Sequence, residues 1–314
     1  MAPEIVVASP RGFCAGVSYA IEIVNLVLER YGPPVYVRHE IVHNRYVVEE
    51  LRRKGARFID DLADAPAGSL LIFSAHGVSP AVRHEAEQRC LRVIDATCPL
   101  VTKVHLEALR YARDGFSILL IGHRGHVEVE GTLGHAPEQM FLVETVADVE
   151  RVAAPDPERV AVVTQTTLSV DDTREIIDAI RKRFPKVRTP KKDDICYATQ
   201  NRQTSVKELA RQTGLVLVLG SPTSSNANRL AEVARNQGTL SRLIEDANDI
   251  DPEWLRNVSA VGLTAGASTP ETLVQETIAR LQQLGYGTVR DLVTAEEHIT
   301  FPLPREMRPA APAT

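Results

Sequence analysis

Short apolar runs alternate with stretches of helical spacing along nearly the whole chain. The runs are Ile5-Val6-Val7-Ala8, Val35-Tyr36-Val37, Leu70-Leu71-Ile72-Phe73, Val93-Ile94, Ile118-Leu119-Leu120-Ile121, Met140-Phe141-Leu142-Val143, Val160-Ala161-Val162-Val163, Leu215-Val216-Leu217-Val218-Leu219 and Ser259-Ala260-Val261-Gly262-Leu263. Their length and composition predict strands. Helical patterns follow over 17–28, 45–54, from Pro80 onward, through Val101, Val104, Leu106 and Leu109, and over about 200–211. Strands alternating with helices predict parallel βαβ units.

The polar residues gather just after the strands. Cys14 follows the first run, and Cys98 follows Val93-Ile94-Asp95-Ala96-Thr97. Cys196 follows Asp194-Ile195 in what reads as an equivalent place. Pro99, next to Cys98, suits the first position of a helix, where its fixed φ helps and its missing N–H is not needed. Later strands in each third lead to further polar loops. These hold His43 and His76 in the first third, His126, Glu128 and Thr166 in the second, and Ser224, Ser225, Asn226 and Ser268 in the last. The plan is three pseudo-equivalent α/β lobes with parallel sheets, arranged as a trefoil whose strand ends face one centre. The expected lobes are residues 1–97 with Cys14, 98–194 with Cys98, and 195–314 with Cys196 plus a C-terminal tail. A basic, Pro-containing linker at 186–192 precedes the last lobe. Ile299-Thr300-Phe301 reads as a candidate edge strand, and from Arg305 the Pro- and Ala-rich tail is expected to fray.

Bulk properties narrow the function classes. The chain has 314 residues, 44% hydrophobic and 25% charged, with net charge −5. That is the composition of a soluble globular protein, with no basic field for nucleic acid. No apolar run approaches the ~18 residues of a membrane span, and the first residues lack a signal-peptide pattern. The expected compartment is the cytoplasm, where thiols stay reduced. Four cysteines in such a chain favour metal-binding or catalytic use over a disulfide framework.

Three of those cysteines share one topological setting. A lone cysteine is commonly a small buried hydrophobe, but the repetition argues for ligands. Cys90 lies at a helix end before a strand and is read as structural. No closely spaced pair suits a zinc knuckle. Three distant thiolates fit a soft-metal cluster better, and a 4Fe–4S cube so held keeps one iron not ligated by protein. His43, His76 and His126, with Ser224, Ser225, Asn226 and Ser268, offer donors for an oxyanion. There is no P-loop motif, and Gly12-Phe13-Cys14-Ala15-Gly16 is a poor match to a dinucleotide fingerprint. From pattern alone Glu128 stands equally well as a solvated loop acid.

Taken together, several segments resemble the 4-hydroxy-3-methylbut-2-enyl diphosphate reductase family of the methylerythritol phosphate route to isoprenoids. They are Gly12-Phe13-Cys14-Ala15-Gly16-Val17, Ser74-Ala75-His76-Gly77-Val78, Asp95-Ala96-Thr97-Cys98-Pro99, Gly131-Thr132 and Thr164-Gln165-Thr166-Thr167-Leu168-Ser169. Cys196-Tyr197-Ala198-Thr199, Ser224-Ser225-Asn226 and Thr264-Ala265-Gly266-Ala267-Ser268 complete the set. Val127 departs from the family, which has proline between the His and the Glu. The resemblance implies a 4Fe–4S cluster on Cys14, Cys98 and Cys196. It implies substrate contacts from His43, His76, His126, Thr166, Ser224, Ser225, Asn226 and Ser268, and proton delivery by Glu128. The implied reaction is reductive removal of an allylic hydroxyl, with two electrons and two protons, giving isopentenyl and dimethylallyl diphosphates plus water. The implied partner is a ferredoxin- or flavodoxin-type electron donor. Two other classes compete. A cluster-dependent dehydratase predicts an arginine clamp for a carboxylate, and the Ser224-Ser225-Asn226 loop offers none. A non-enzymatic iron–sulfur sensor predicts a DNA-binding element or a fourth ligand, and the sequence shows neither.

Overall fold

The computed structural model describes residues 3–190 and 192–308. In chain order the first part runs β1 (Glu4–Ser9), α1 (Ala15–Tyr31), β2 (Val35–Arg38), α2 (Arg45–Arg53), β3 (Ala56–Ile59), β4 (Leu70–Phe73), α3 (Pro80–Gln88) and β5 (Arg92–Asp95). The middle runs α4 (Pro99–Arg113), β6 (Ser117–Ile121), α5 (Val127–Leu133), β7 (Met140–Val143), α6 (Val146–Arg151), β8 (Val160–Thr164) and α7 (Val170–Arg183). The last part runs α8 (Tyr197–Gln212), β9 (Leu215–Leu219), α9 (Ser225–Asn236), β10 (Leu240–Ile244), β11 (Ala260–Ala265), α10 (Glu271–Gln283) and β12 (Thr288–Val293).

The strands form three sheets, ordered β3-β2-β4-β5, β7-β6-β8 and β10-β9-β11-β1-β12. Every pairing within them is parallel. The three-lobed α/β plan is therefore the observed one. In β6, β8 and β9 every residue is buried, as expected of parallel strands covered on both faces. α1 explains its own placement. Val17, Ala20, Ile23, Val24, Val27 and Leu28 recur at three- and four-residue steps and pack with Val35, Val37 and Ile72 of the first sheet.

Several expectations need correction. β1 does not pair with the first sheet. It joins the last one, with Ile5 opposite Val261 and Val289. Its backbone partners lie over 250 residues away, and nothing in a local apolar pattern encodes them. β3, β10 and β12 were not expected as strands. β12 is a half-exposed edge carrying Arg290 and Asp291, a weak apolar signal. Residues 299–301 form no strand. Phe301 instead meets Tyr19 edge-on with ring centroids 6.3 Å apart. Cys196 follows no strand either. Residues 184–190 and 192–196 are no strand of a ladder, and the first of these stretches touches the edge of β8 through the bridge between Arg188 and Ala161. Asp194 in the second accepts the backbone N–H of Thr164, which draws the chain to the sheet edge without a ladder. The chain stays ordered past Arg305, because Met307 is buried in the first core. The remainder of the tail, 309–314, and Lys191 of the expected linker lie outside the described residues. No helix among the described residues is long and apolar enough to cross a membrane.

Candidate functional site

Each of the three cysteines is the N-cap of a long helix: Cys14 of α1, Cys98 of α4 and Cys196 of α8. None makes a side-chain cap bond, and each sulfur stands beside a helix N-terminus. That end of a helix favours negative charge. Each loop is pinned by a backbone bond to another segment. Cys14 donates to Ala267, Cys98 to Ala75 and Cys196 to Thr166, at 3.0–3.1 Å. The three thiols line one cavity of about 690 Å³, including its mouth.

The residues present fit a metal cluster. Burial pushes Cys98 up to about 12 and Cys196 up to about 11, with the neighbouring Cys14 adding to both shifts. Such thiols ionise at neutral pH only if cations take up the charge. Among the described residues, no three His, Cys, Asp or Glu side chains gather as ligands of one metal ion. The thiols stand around a space instead, as ligands on separate irons must. Gly16, in the first turn of α1, keeps that space clear. A Cβ there would lie 2.5 Å from the Cys98 sulfur and 3.9 Å from the Cys14 sulfur.

All twelve residues singled out in the sequence line this same cavity. His43, His76 and His126 form one cluster, with centroids 4.2 Å apart for the first two and 5.4 and 6.0 Å from them to His126. His126 accepts the Glu128 backbone N–H on Nδ1 at 3.2 Å, so its own proton sits on Nε2. His43 holds Glu40 through Nδ1 at 3.1 Å, and its buried Nε2 has no partner. Burial and the neighbouring rings lower His76 well below the usual imidazole range, and burial lowers His126 to about 3. His76 and His126 are therefore neutral in the absence of ligand.

The serine and asparagine donors are not equally free. Ser224 caps α9, accepting from Ala227, so its own hydroxyl hydrogen remains available. Asn226 accepts from the Ala267 N–H at 2.9 Å and reaches Thr199 only at 3.5 Å through Nδ2. Ser268 already donates to the His43 carbonyl at 2.9 Å. If these groups hold an anion, Asn226→Ala should weaken it by about ten- to a hundredfold, the loss of one hydrogen bond to charge at roughly 1.5–3 kcal/mol. Ser268→Ala should cost less. Anaerobic titration of both variants checks the order, and wild-type affinity in both would place the anchor elsewhere.

Glu128 is buried at 3% exposure in the first turn of α5. Thr166 grips it twice, donating its N–H to Oε1 at 2.7 Å and its hydroxyl to Oε2 at 3.0 Å. Burial outweighs these bonds and raises the carboxyl to about 7. A carboxyl poised there can hold or release a proton near neutrality. The solvated-acid reading of Glu128 does not survive this burial. Val127 is the first residue of α5 and leaves His126 as its cap.

Sequence reasoning missed four contributors. Gly16 was seen only as part of a turn motif. Thr199 places its hydroxyl 3.2 Å from the Cys196 sulfur. Thr167 meets Ser225 hydroxyl to hydroxyl at 3.1 Å, with Gln165 bonded to both. Arg202 on α8 is wholly buried, and it donates to the Gly12 carbonyl at 2.8 Å and to Glu297 at 3.0 Å. It thus ties the Cys14 loop to α8 and to the C-terminal segment. One signal was available: Arg202 falls six residues after Cys196, on the buried side of its helix. Cys90 is exposed and lies outside the cavity, in a left-handed turn with φ 56°.

Comparison with known proteins gives a consistent picture. Residues 5–282 match the family model described as LytB protein. The 4-hydroxy-3-methylbut-2-enyl diphosphate reductase of Chromohalobacter salexigens is 58% identical over 309 residues, covering 97% of this chain and 98% of that one. The enzyme of the same name from Acinetobacter baylyi is 55% identical over 309 residues, with the same coverage of each. Among solved structures, the E-1-hydroxy-2-methyl-but-2-enyl-4-diphosphate reductase of Plasmodium falciparum superposes with a TM-score of 0.95 at 40% identity, covering 98% of this chain and 97% of that one. A second solved reductase, described as the terminal enzyme of the non-mevalonate pathway, gives 0.65 at 33% identity, covering 90% and 99%. With matches of this extent and a shared three-lobed fold, the chain belongs to the LytB protein family.

Proposed function

We propose that this chain reduces (E)-4-hydroxy-3-methylbut-2-enyl diphosphate to isopentenyl and dimethylallyl diphosphates. The carbon–oxygen bond of the allylic hydroxyl breaks, two electrons and two protons enter, and water leaves. One observation carries the reading. A carboxyl raised to about 7 and three thiols from three helix starts share one cavity with a cluster of three histidines. We assign Cys14, Cys98 and Cys196 to a 4Fe–4S cluster with one iron free of protein ligands. When bound, such a cluster supplies the electrons and a Lewis-acidic site for the hydroxyl.

The protein's own groups do the rest. Asn226, Ser224 and Ser268 bind the diphosphate, with Ser225 buttressed by Thr167. The Nε2–H of His126 donates to it. His43, held by Glu40 on Nδ1, offers its unpartnered Nε2. Glu128 carries the proton for the departing hydroxyl and passes it through the Thr166 hydroxyl, its partner at 3.0 Å. The walls formed by Val17, Val42, Ala75, Leu100 and Val101 exclude water from the hydrocarbon. The electron donor is a ferredoxin- or flavodoxin-type protein, and the compartment is the cytoplasm. The dehydratase and sensor readings have no observation in their favour.

The test is stoichiometry. Anaerobically reconstituted protein, given reduced methyl viologen, should consume two electrons per substrate and release both isomeric diphosphates. Consumption of substrate without viologen oxidation would overturn the proposal in favour of a dehydratase.

A further inference from the structure

We infer that the exposed face of α4 is the docking surface for a small, acidic, one-electron carrier protein. This rests on the reductase reading, since only an enzyme that consumes electrons needs such a surface. α4 starts at Cys98, and residues 98, 102, 106, 109 and 113 fall along one line of the helix. The opposite side, with Val101, Val104, Ala108 and Tyr111, is spent on the core. Leu106 and Leu109 nevertheless stand 62% and 40% exposed on the outer line. Paired leucines on a solvent face call for an explanation.

The charge around them points to the occupant. α4 carries Lys103, Arg110 and Arg113, of which Lys103 is paired with Asp194 at 2.9 Å and Arg110 with the helix's one acid, Glu107, at 2.7 Å. The Glu107 side chain is only 9% exposed and is taken up by Arg110 and Tyr111. Lys192 joins Lys103, Leu106 and Arg110 in lining a groove on this face. The chain as a whole carries −5, so an acidic protein is drawn to it only where basic side chains gather, as they do on this face. An apolar centre with a basic rim suits a weak, transient electron-transfer contact, which buries less than about 1,200 Å². Leu106 lies eight residues along the helix from Cys98, or about 12 Å at 1.5 Å per residue. The carrier loses one electron at each encounter, so two encounters supply one turnover.

The other exposed apolar patch near a thiol is the weaker candidate. Phe13 and Ile299 border a groove behind Cys14 whose charged lining consists of Glu22 and Glu297, with no lysine or arginine among its residues. It would repel the same carrier.

The experiment compares reduced flavodoxin with reduced methyl viologen as electron source for the holoenzyme. Leu106→Ser and the double variant Arg110→Glu/Arg113→Glu should each raise the KM for flavodoxin at least about tenfold. The double variant should also lose most of the salt dependence. Viologen-driven turnover should stay at the wild-type level in both. Unchanged flavodoxin KM in both variants, or a rise seen only in Ile299→Ser, would overturn the assignment. Failure of the wild type to reduce substrate with either reductant would contradict the reductase reading instead.

Discussion

Glu128→Gln should lower turnover by about 10²–10⁴-fold while leaving substrate affinity and metal content intact. The range is that of general acid catalysis. Glutamine keeps the shape and can accept the Thr166 N–H, but it carries no transferable proton. Alternative donors are poorly placed. The cysteines must remain thiolates to bind metal. The serine hydroxyls are too weakly acidic. Burial holds His76 and His126 neutral, with the His126 imidazole lowered to about 3, so neither stores a proton at pH 7 before substrate arrives. The pH profile carries a signature of its own. The acid form of Glu128 is the competent one, so kcat/KM should fall as pH rises through about 7, and this limb should vanish in the glutamine variant. Unfolding does not account for such a loss. A carboxyl raised from 4.5 to about 7 on folding contributes stability that is full below its unfolded pKa and is lost as pH rises through the folded one. Glutamine escapes that loss, so thermal unfolding at pH 8 should show no destabilisation from this source. Near-wild-type turnover in Glu128→Gln with excess reductant would remove the proton-delivery role from Glu128.

The second large effect concerns the thiols. Cys14→Ser, Cys98→Ser and Cys196→Ser should each lose most iron and sulfide after anaerobic purification, and reductase activity with it. Cys90→Ser should lose neither. The three ligands come from three helix starts that meet only in the folded chain, so no remaining pair closes the site. Burial also works against a half-filled site. Thiols raised to about 12 and 11 stay protonated unless metal compensates their charge. Full iron and sulfide in all three variants would remove the cluster from these positions.

Much of this site was legible because its residues sit just beyond strands or at helix starts. Apolar runs mark those ends locally, so His43, His76, His126 and Asn226 could be placed without knowing the sheets. Cys196 was identified for a reason that proved incomplete, since it caps α8 but follows a loop. The helix start, not the strand end, is what the three thiols share. What stayed hidden depends on distant contacts. β1 crosses into the last sheet through bonds to β11 and β12. Gly16 matters because of a sulfur 82 positions further along. Arg202 reads as an ordinary helical cation until Gly12 and Glu297 close around it. The burial that raises Glu128 is likewise a property of the assembled lobes, which no pattern at 126–128 contains.

The central claim is that Cys14, Cys98 and Cys196 would hold a four-iron cluster and leave one iron without a protein ligand, open to the substrate. Mössbauer spectroscopy of protein loaded with iron-57, with and without substrate, tests it most directly. The account predicts a roughly three-to-one division of iron environments, with substrate shifting only the minor component. Four iron sites that all ignore the substrate would contradict it.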